Sequence, residues 1–312
     1  MTIQFMEPFR RAWARMTAAL FKPFDIRKWF VVGFNAFLCG LMEVSNGSGG
    51  LRGHKDTDLG KFFAFPQTAW DWLQSHPAWA VAVLFAILVA VAVVVALTWV
   101  SSRGVFMFLD SVARDRVEIA GPWRDYRKEG DSLFVWRLVF GLIVFAALGG
   151  LVVWLFVRSA AAYEAGIERV FSVGLVAGAA LLALALSLGV AYVVLFLRDF
   201  VAALMYKHRI TAVAAWRMFL DLFGKYPMHF LGYGLVVLLL MVAFVAAVAF
   251  AVVATCCIGA IFLAIPYVGT VATLPFWYTL RAYSLEFLAQ FGPQYDVFPR
   301  PAAPAATAPA VV

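Results

Sequence analysis

Residues 226–280 read YPMHFLGYGLVVLLLMVAFVAAVAFAVVATCCIGAIFLAIPYVGTVATLPFWYTL, fifty-five positions without one Asp, Glu, Lys or Arg. A helix rises ~1.5 Å per residue and bilayer hydrocarbon is ~30 Å thick, so about twenty residues make a crossing and this run holds two. Four further charge-free runs, 29–42, 72–102, 138–157 and 170–197, supply one each. The sequence therefore predicts an all-α polytopic membrane bundle of six transmembrane helices in one domain over 1–298, with spans near 27–45, 77–100, 134–157, 171–197, 229–254 and 260–281. Beyond Pro299 the chain is Pro- and Ala-rich without periodicity, so 299–312 is expected to be a disordered tail.

Composition excludes a soluble globular chain: 64% of residues are hydrophobic, 14% are charged and the mean hydropathy is +0.88, against roughly 25% charged in soluble domains. The net charge of +7 points to membrane topology rather than nucleic acid, because Lys and Arg gather in alternate connections. Segments 1–28, 101–137, 198–229 and 281–312 carry twenty basic against twelve acidic residues, and the intervening segments carry five against six. By the positive-inside rule both termini face the cytoplasm. The first run has only 14 uncharged residues and contains Asn35, yet the six basic residues before it would otherwise lie outside. It is kept as a tilted or locally thinning, uncleaved span.

The inner edges of the runs suggest an internal repeat. Trp13, Trp123 and Trp216 open basic segments ahead of spans one, three and five, and Gly33, Gly141 and Gly234 follow 20, 18 and 18 residues later. Spans two, four and six end on Arg103, Arg198 and Arg281. The unit reads as amphipathic helix, span, outer loop, span, arginine, and three such units would be parallel repeats. Segments 4–21, 104–116, 200–208, 212–223 and 282–291 read as amphipathic interfacial helices on the cytoplasmic side, with Phe5, Phe9, Trp13 and Met16 on one face and Arg10, Arg11 and Arg15 available to anionic lipid. The outer loop 44–76 starts Gly-rich, and Trp70, Trp72 and Trp79 read as an aromatic belt.

Chemistry-bearing patterns are sparse. Gly47 to Gly53 lacks the Gly-Lys-Ser/Thr ending of a phosphate loop, and His54, His76, His208 and His229 are scattered, so no metal and no cofactor is expected. Asp110, Asp115 and Glu118, and Asp125, Glu129 and Asp131, lie among arginines and read as solvated, salt-bridged faces; a headgroup-directed catalytic role for Asp110, Asp115 and Glu118 is the alternative. Cys39, Cys256 and Cys257 read as packing residues, with a Cys39 bridge to either partner left open. No ionisable group lies at mid-depth, which speaks against ion-coupled pumping. Asn35 and the Gly174/Gly178 pair read as helix-packing features. Two prolines and two glycines interrupt 256–275 near Tyr267 and Thr270, either as a tight turn and kink or as a broken helix lining a binding cavity. Candidate binding residues are accordingly Asn35, Tyr267, Thr270, Arg103, Arg198 and Arg281; no catalytic set is found.

Two stretches carry a family resemblance. Leu20-Phe21-Lys22-Pro23-Phe24-Asp25-Ile26-Arg27-Lys28-Trp29-Phe30 with Gly33-Phe34, and Ile265-Pro266-Tyr267-Val268-Gly269-Thr270 with Leu274-Pro275, Arg281-Ala282-Tyr283-Ser284 and Leu288 to Tyr295, resemble an uncharacterised bacterial family of six-span proteins, a domain of unknown function. That family is distantly similar to the membrane portion attached to some glycerophosphodiester phosphodiesterases. The resemblance implies a fold and a bacterial inner membrane; the chain has no soluble phosphodiesterase domain, so that activity does not carry over. The functional expectation is a non-enzymatic membrane module that organises lipids or a protein partner, itself included as a homo-oligomer, without nucleic acid. An exporter or facilitator of an apolar or lipid-like solute is the alternative.

Overall fold

A computed structural model describes residues 3–41, 59–165, 173–255 and 258–298. Among them the regular structure is helical: α1 Met6–Phe21, α2 Ile26–Gly40, α3 Leu59–Ser75, α4 Pro77–Arg114, α5 Ala120–Asp125, α6 Arg127–Glu164, α7 Val173–Phe196, a π-turn Leu197–Val201, α8 Ala202–His208, α9 Ala212–Lys225, α10 Pro227–Ala254, α11 Ile258–Ala264, α12 Pro266–Ala272 and α13 Leu274–Ala289. The boundaries follow local chemistry. Asp25 starts α2 by accepting the Arg27 amide at 2.8 Å, and the Trp29 indole donates to the Leu20 carbonyl at 2.8 Å, closing the end of α1. Pro227, Pro266 and Pro275 stand in the first turns of α10, α12 and α13, where a missing N–H costs nothing.

Four helical stretches are long and apolar enough to cross a membrane: Pro77–Arg114, Arg127–Tyr163, Ala177–His208 and Pro227–Ala254. They correspond to expected spans two to five. The other two expected spans differ from the sequence reading. The first is α2, a 15-residue helix. The sixth is broken into α11, α12 and the start of α13, because Pro266 and Pro275 each remove a ladder donor. The tail 299–312, the Gly-rich start of the outer loop, His54, Cys256 and Cys257 lie outside the described residues, and with them the question of a Cys39 bridge.

The chain divides into two compact units. The first comprises Met1–Cys39, Arg103–Glu129 and Leu197–Val312. Its core is aromatic: Phe200, Phe219, Phe230, Tyr233, Tyr283 and Phe287 are fully buried, with ring centroids 4.8 Å apart for Phe200 and Tyr233 and 5.2 Å for Tyr233 and Tyr283. α1 packs along α13, with Phe5 stacked on Phe287 and Phe9 edge-on to Tyr283. The second unit, Gly40–Ser102 and Gly130–Phe196, holds α3, α7 and the remaining parts of α4 and α6. Its helices carry apolar side chains outward, among them Val81, Leu142, Phe145 and Leu181. Trp99 Nε1 donates to Asp131 at 3.1 Å and Arg137 to Ser101 at 3.3 Å within it, and Phe63 of α3 packs on Phe156 and Tyr163. Trp70, Trp72 and Trp79 are exposed, with Trp72 stacked on His76.

Three of the five expected interfacial helices are not separate amphipathic helices with an open polar face. Residues 104–114 continue α4, 200–208 continue α7 through the π-turn, and 282–289 continue α13; nearly every side chain in them is buried in the first unit. Their polar positions, Asp110, Asp199, Ser284 and Glu286, misled because each points into protein. On α1, Phe5 and Phe9 face α13, Met16 is buried and Trp13 is exposed, so the apolar stripe splits between core and surface. A Cβ added at Gly174 or Gly178 meets nothing within 4 Å, so this pair makes no close contact among the described residues.

Candidate functional site

Two of the places where the first unit buries charge bring together residues far apart in sequence. At the π-turn, Arg198 clasps the neighbouring Asp199 with Nε at 2.8 Å and Nη2 at 3.3 Å. Arg281, from α13, reaches the same carboxylate at 3.9 Å, donates to the Arg198 carbonyl and points Nη2 at Cys39 Sγ, 3.6 Å away. Tyr233 completes the set, donating to Asp199 Oδ2 at 3.0 Å. A π-turn widens the ladder and frees carbonyls from their usual partners, and Arg281 takes up one of them. Two guanidinia and one carboxylate leave a net positive charge in a dry setting, held by hydrogen bonds from every side.

The second place is the end of α4. Asp110 is fully buried, and its Oδ1 accepts hydroxyl protons from Tyr206 at 2.7 Å and Tyr126 at 3.1 Å. Those rings stack 4.9 Å apart, and the Arg209 guanidinium lies 3.9 Å from the Tyr126 ring while bonding the Asp125 carbonyl and Glu129. Arg114 and Arg116 each come to 3.8 Å of the Asp110 carboxylate from the surface. Burial pushes the Tyr126 hydroxyl above the ordinary phenol range, the Tyr206 hydrogen bond offsets part of this, and the Asp110 charge adds to it. The hydroxyl therefore stays a donor near neutral pH. Hydrogen bonds to a charged acceptor contribute about 1.5–3 kcal/mol. Tyr206→Phe is expected to lower stability by that order and Tyr126→Phe by less, following the longer bond; thermal melts of the detergent-solubilised chain check the order.

The candidate residues read from sequence fall into three groups. Arg198 and Arg281 come together on Asp199. Arg103 is buried with its guanidinium 5.1 Å from the Trp123 ring, apart from that pair. Asn35 is fully buried and donates to Ser111 at 3.0 Å, tying α2 to α4. Tyr267 donates to the Phe30 carbonyl at 2.9 Å within a ring of Phe30, Phe34 and Phe37, and Thr270 lies half-buried on the same short helix. A Cβ on Gly269 would stand 2.6 Å from the Leu263 carbonyl oxygen, so 258–272 is a tightly closed turn. Among the described residues this surrounding is aromatic packing.

Asp110 is the main correction to the acidic clusters: it is not a solvated face. Asp115 pairs with Lys28 at 2.8 Å, and Glu129 is buried against Arg209. Asp199, Tyr126, Tyr206 and Tyr233 were missed. The one available signal was an Arg-Asp pair directly after a charge-free run, where an acid must be paired to stay. Among the described residues no group of three His, Cys, Asp or Glu could hold a metal.

Residues 5–289 match a family of unknown function, DUF7544. The chain belongs to this family. The match covers both buried charge centres and all four long helices. No curated protein and no solved structure matches the chain. As a DUF7544 member it carries a family description that assigns no activity, so the function has to be argued from the side chains.

Proposed function

We propose that this DUF7544 protein is a non-enzymatic, six-crossing membrane module that engages anionic lipid headgroups, and through them partner proteins or further copies of itself, at the cytoplasmic face of a bacterial inner membrane. The observation that carries the reading is the contrast along the long helices. Apolar side chains at Val81, Leu142, Phe145, Leu181 and Phe250 point outward and need lipid, whereas 103–113 and 198–206 are buried among charged and aromatic groups. Around that buried part the surface is cationic, with Arg10, Arg11, Arg114, Arg116 and Arg209 reaching outward. Each cation near an anionic leaflet contributes about 1 kcal/mol of attraction. In the six-crossing reading α2 is a short first span and 258–281 a kinked sixth. The positions of Arg103, Arg198 and Arg281 at the inner ends of alternate spans support three two-span units.

Native mass spectrometry of the chain released from mixed-lipid nanodiscs tests the lipid reading. Anionic phospholipid should be retained in preference to phosphatidylcholine, and the preference should fall with ionic strength. Retention that follows the nanodisc composition at every salt concentration would remove the reading.

A further inference from the structure

Arg114 ends α4, Asp115 has a left-handed backbone (φ 55°), and Arg116 follows. The left-handed residue reverses the chain, so positions four and six after Asp110 both return to its carboxylate. Arg114 Nε lies 3.8 Å from Oδ1 and Arg116 Nη1 lies 3.8 Å from Oδ2; Arg116 Nη1 also lies 3.8 Å from Asp125 Oδ2. These are ion-pair separations outside hydrogen-bond range. Among the described residues neither guanidinium makes a hydrogen bond, although each has five N–H donors. Asp110 is fully buried, its Oδ2 accepts no hydrogen bond, and its Oδ1 is already served by two tyrosines. One counter-ion at bonding distance would neutralise it. Two half-exposed guanidinia standing off it, one of them shared with Asp125, balance the two carboxylates at long range and leave a set of N–H donors at the surface.

We propose that Arg114 and Arg116 form a binding site for a phosphate group, carried by an anionic lipid headgroup or free in solution. Guanidinium forks match phosphate oxygens bidentately. The end of α4 presents carbonyls, not amides, so the side chains alone hold the anion. Asp110 acts from beneath: it keeps the arginines gathered, and its charge weakens the anion's hold. Lys28, paired with Asp115 at 2.8 Å, and Arg209, paired with Glu129 at 3.4 Å, are already balanced by acids, so the donors for the anion are those of Arg114 and Arg116. The site deepens the lipid reading above and rests on it only for the lipid source of the phosphate.

The test uses the full chain in phosphatidylcholine nanodiscs and two probes, phosphatidic acid in the bilayer and inorganic phosphate in solution, read by native mass spectrometry and ³¹P NMR. Arg114→Gln with Arg116→Gln is expected to weaken binding of at least one probe about tenfold or more, two charge-assisted contacts being lost. Loss confined to phosphatidic acid identifies a headgroup, and loss confined to inorganic phosphate a soluble ligand. Arg217→Gln, exposed on α9 and outside this cluster, should change binding of either probe less than about twofold. Asp110→Asn keeps an acceptor for both tyrosines and removes a charge that repels the ligand, so it should tighten binding several-fold. This variant decides the matter if the double arginine variant does not fold. Unchanged binding of both probes in the arginine variant, or no tightening in Asp110→Asn, overturns the site. If phosphatidic acid is still preferred in that case, the wider lipid reading stands without it; if the unaltered chain binds neither probe, both fall.

Discussion

Gly104→Leu is expected to abolish the folded chain, and Gly104→Ala to cost about 3 kcal/mol or more. A Cβ at this position would stand 2.7 Å from the Leu38 carbonyl carbon and Cβ and 2.8 Å from the Cys39 amide nitrogen. Two of those three atoms are backbone, so no rotamer change relieves the collision. Either α2 or the end of α4 must move, and both are fixed. Asn35 of α2 is bonded to Ser111 of α4, and Arg281 reaches both Cys39 and the Arg198 carbonyl. Displacing α2 therefore disturbs the Asp199 centre as well. Size-exclusion chromatography after heating in detergent checks this. Gly141→Ala and Gly174→Ala are the controls, because an added Cβ at either meets nothing within 4 Å, and alanine is the better helix former. A Gly104→Ala chain that melts with these controls would show that the α2 contact is not needed for the fold.

The contact at Gly104 also shows what the sequence could and could not disclose. Charge-free length is a property of one segment, so the four long helices were legible from composition alone. The fate of their inner ends was not. Residues 104–113 set Asp110 and Ser111 among apolar side chains, as an interfacial helix could, and the pattern does not say whether the polar positions meet water or a buried partner. Asp110 meets Tyr126 and Tyr206, which are 16 and 96 residues away. Arg281 finds Asp199 across 82 positions of chain. Pairings at such separations leave no periodic trace in a single sequence. Arg198 and Arg281 were nonetheless singled out, with Arg103, because each ends an even-numbered span in the repeat pattern. Here Arg198 and Arg281 both find the Asp199 carboxylate, and Arg281 also finds the Arg198 carbonyl. The break within the sixth expected span has a local cause that was visible: Pro266 and Pro275 sit nine residues apart and each removes a ladder donor.

Asp199→Ala is expected to be the most damaging single change to a charged residue, costing about 3–5 kcal/mol, because removing one partner of a buried ion pair leaves the rest uncompensated. Asp199 takes Arg198 at 2.8 Å, Arg281 at 3.9 Å and the Tyr233 hydroxyl at 3.0 Å, so its loss removes the one carboxylate that these three groups share. Arg281→Met should cost less, since Asp199 keeps its shorter pair with Arg198 and methionine fills much of the vacated volume. The informative variant is the double, Asp199→Ala with Arg281→Met. If Asp199 acts mainly by neutralising buried arginine, removing one guanidinium relieves part of the damage, and the double is more stable than Asp199→Ala alone, with a coupling of about 1–3 kcal/mol. Asp199→Asn should fall between alanine and the unaltered chain, keeping an acceptor for Tyr233 without the charge. Additive losses in the double variant, measured by thermal melts in the same detergent, would mean that Asp199 and Arg281 are not energetically linked. The π-turn would then be held without help from Arg281, and α13 would owe its place to the aromatic packing of Tyr283 and Phe287 and to the Glu286 pair with Arg15 rather than to the Asp199 centre.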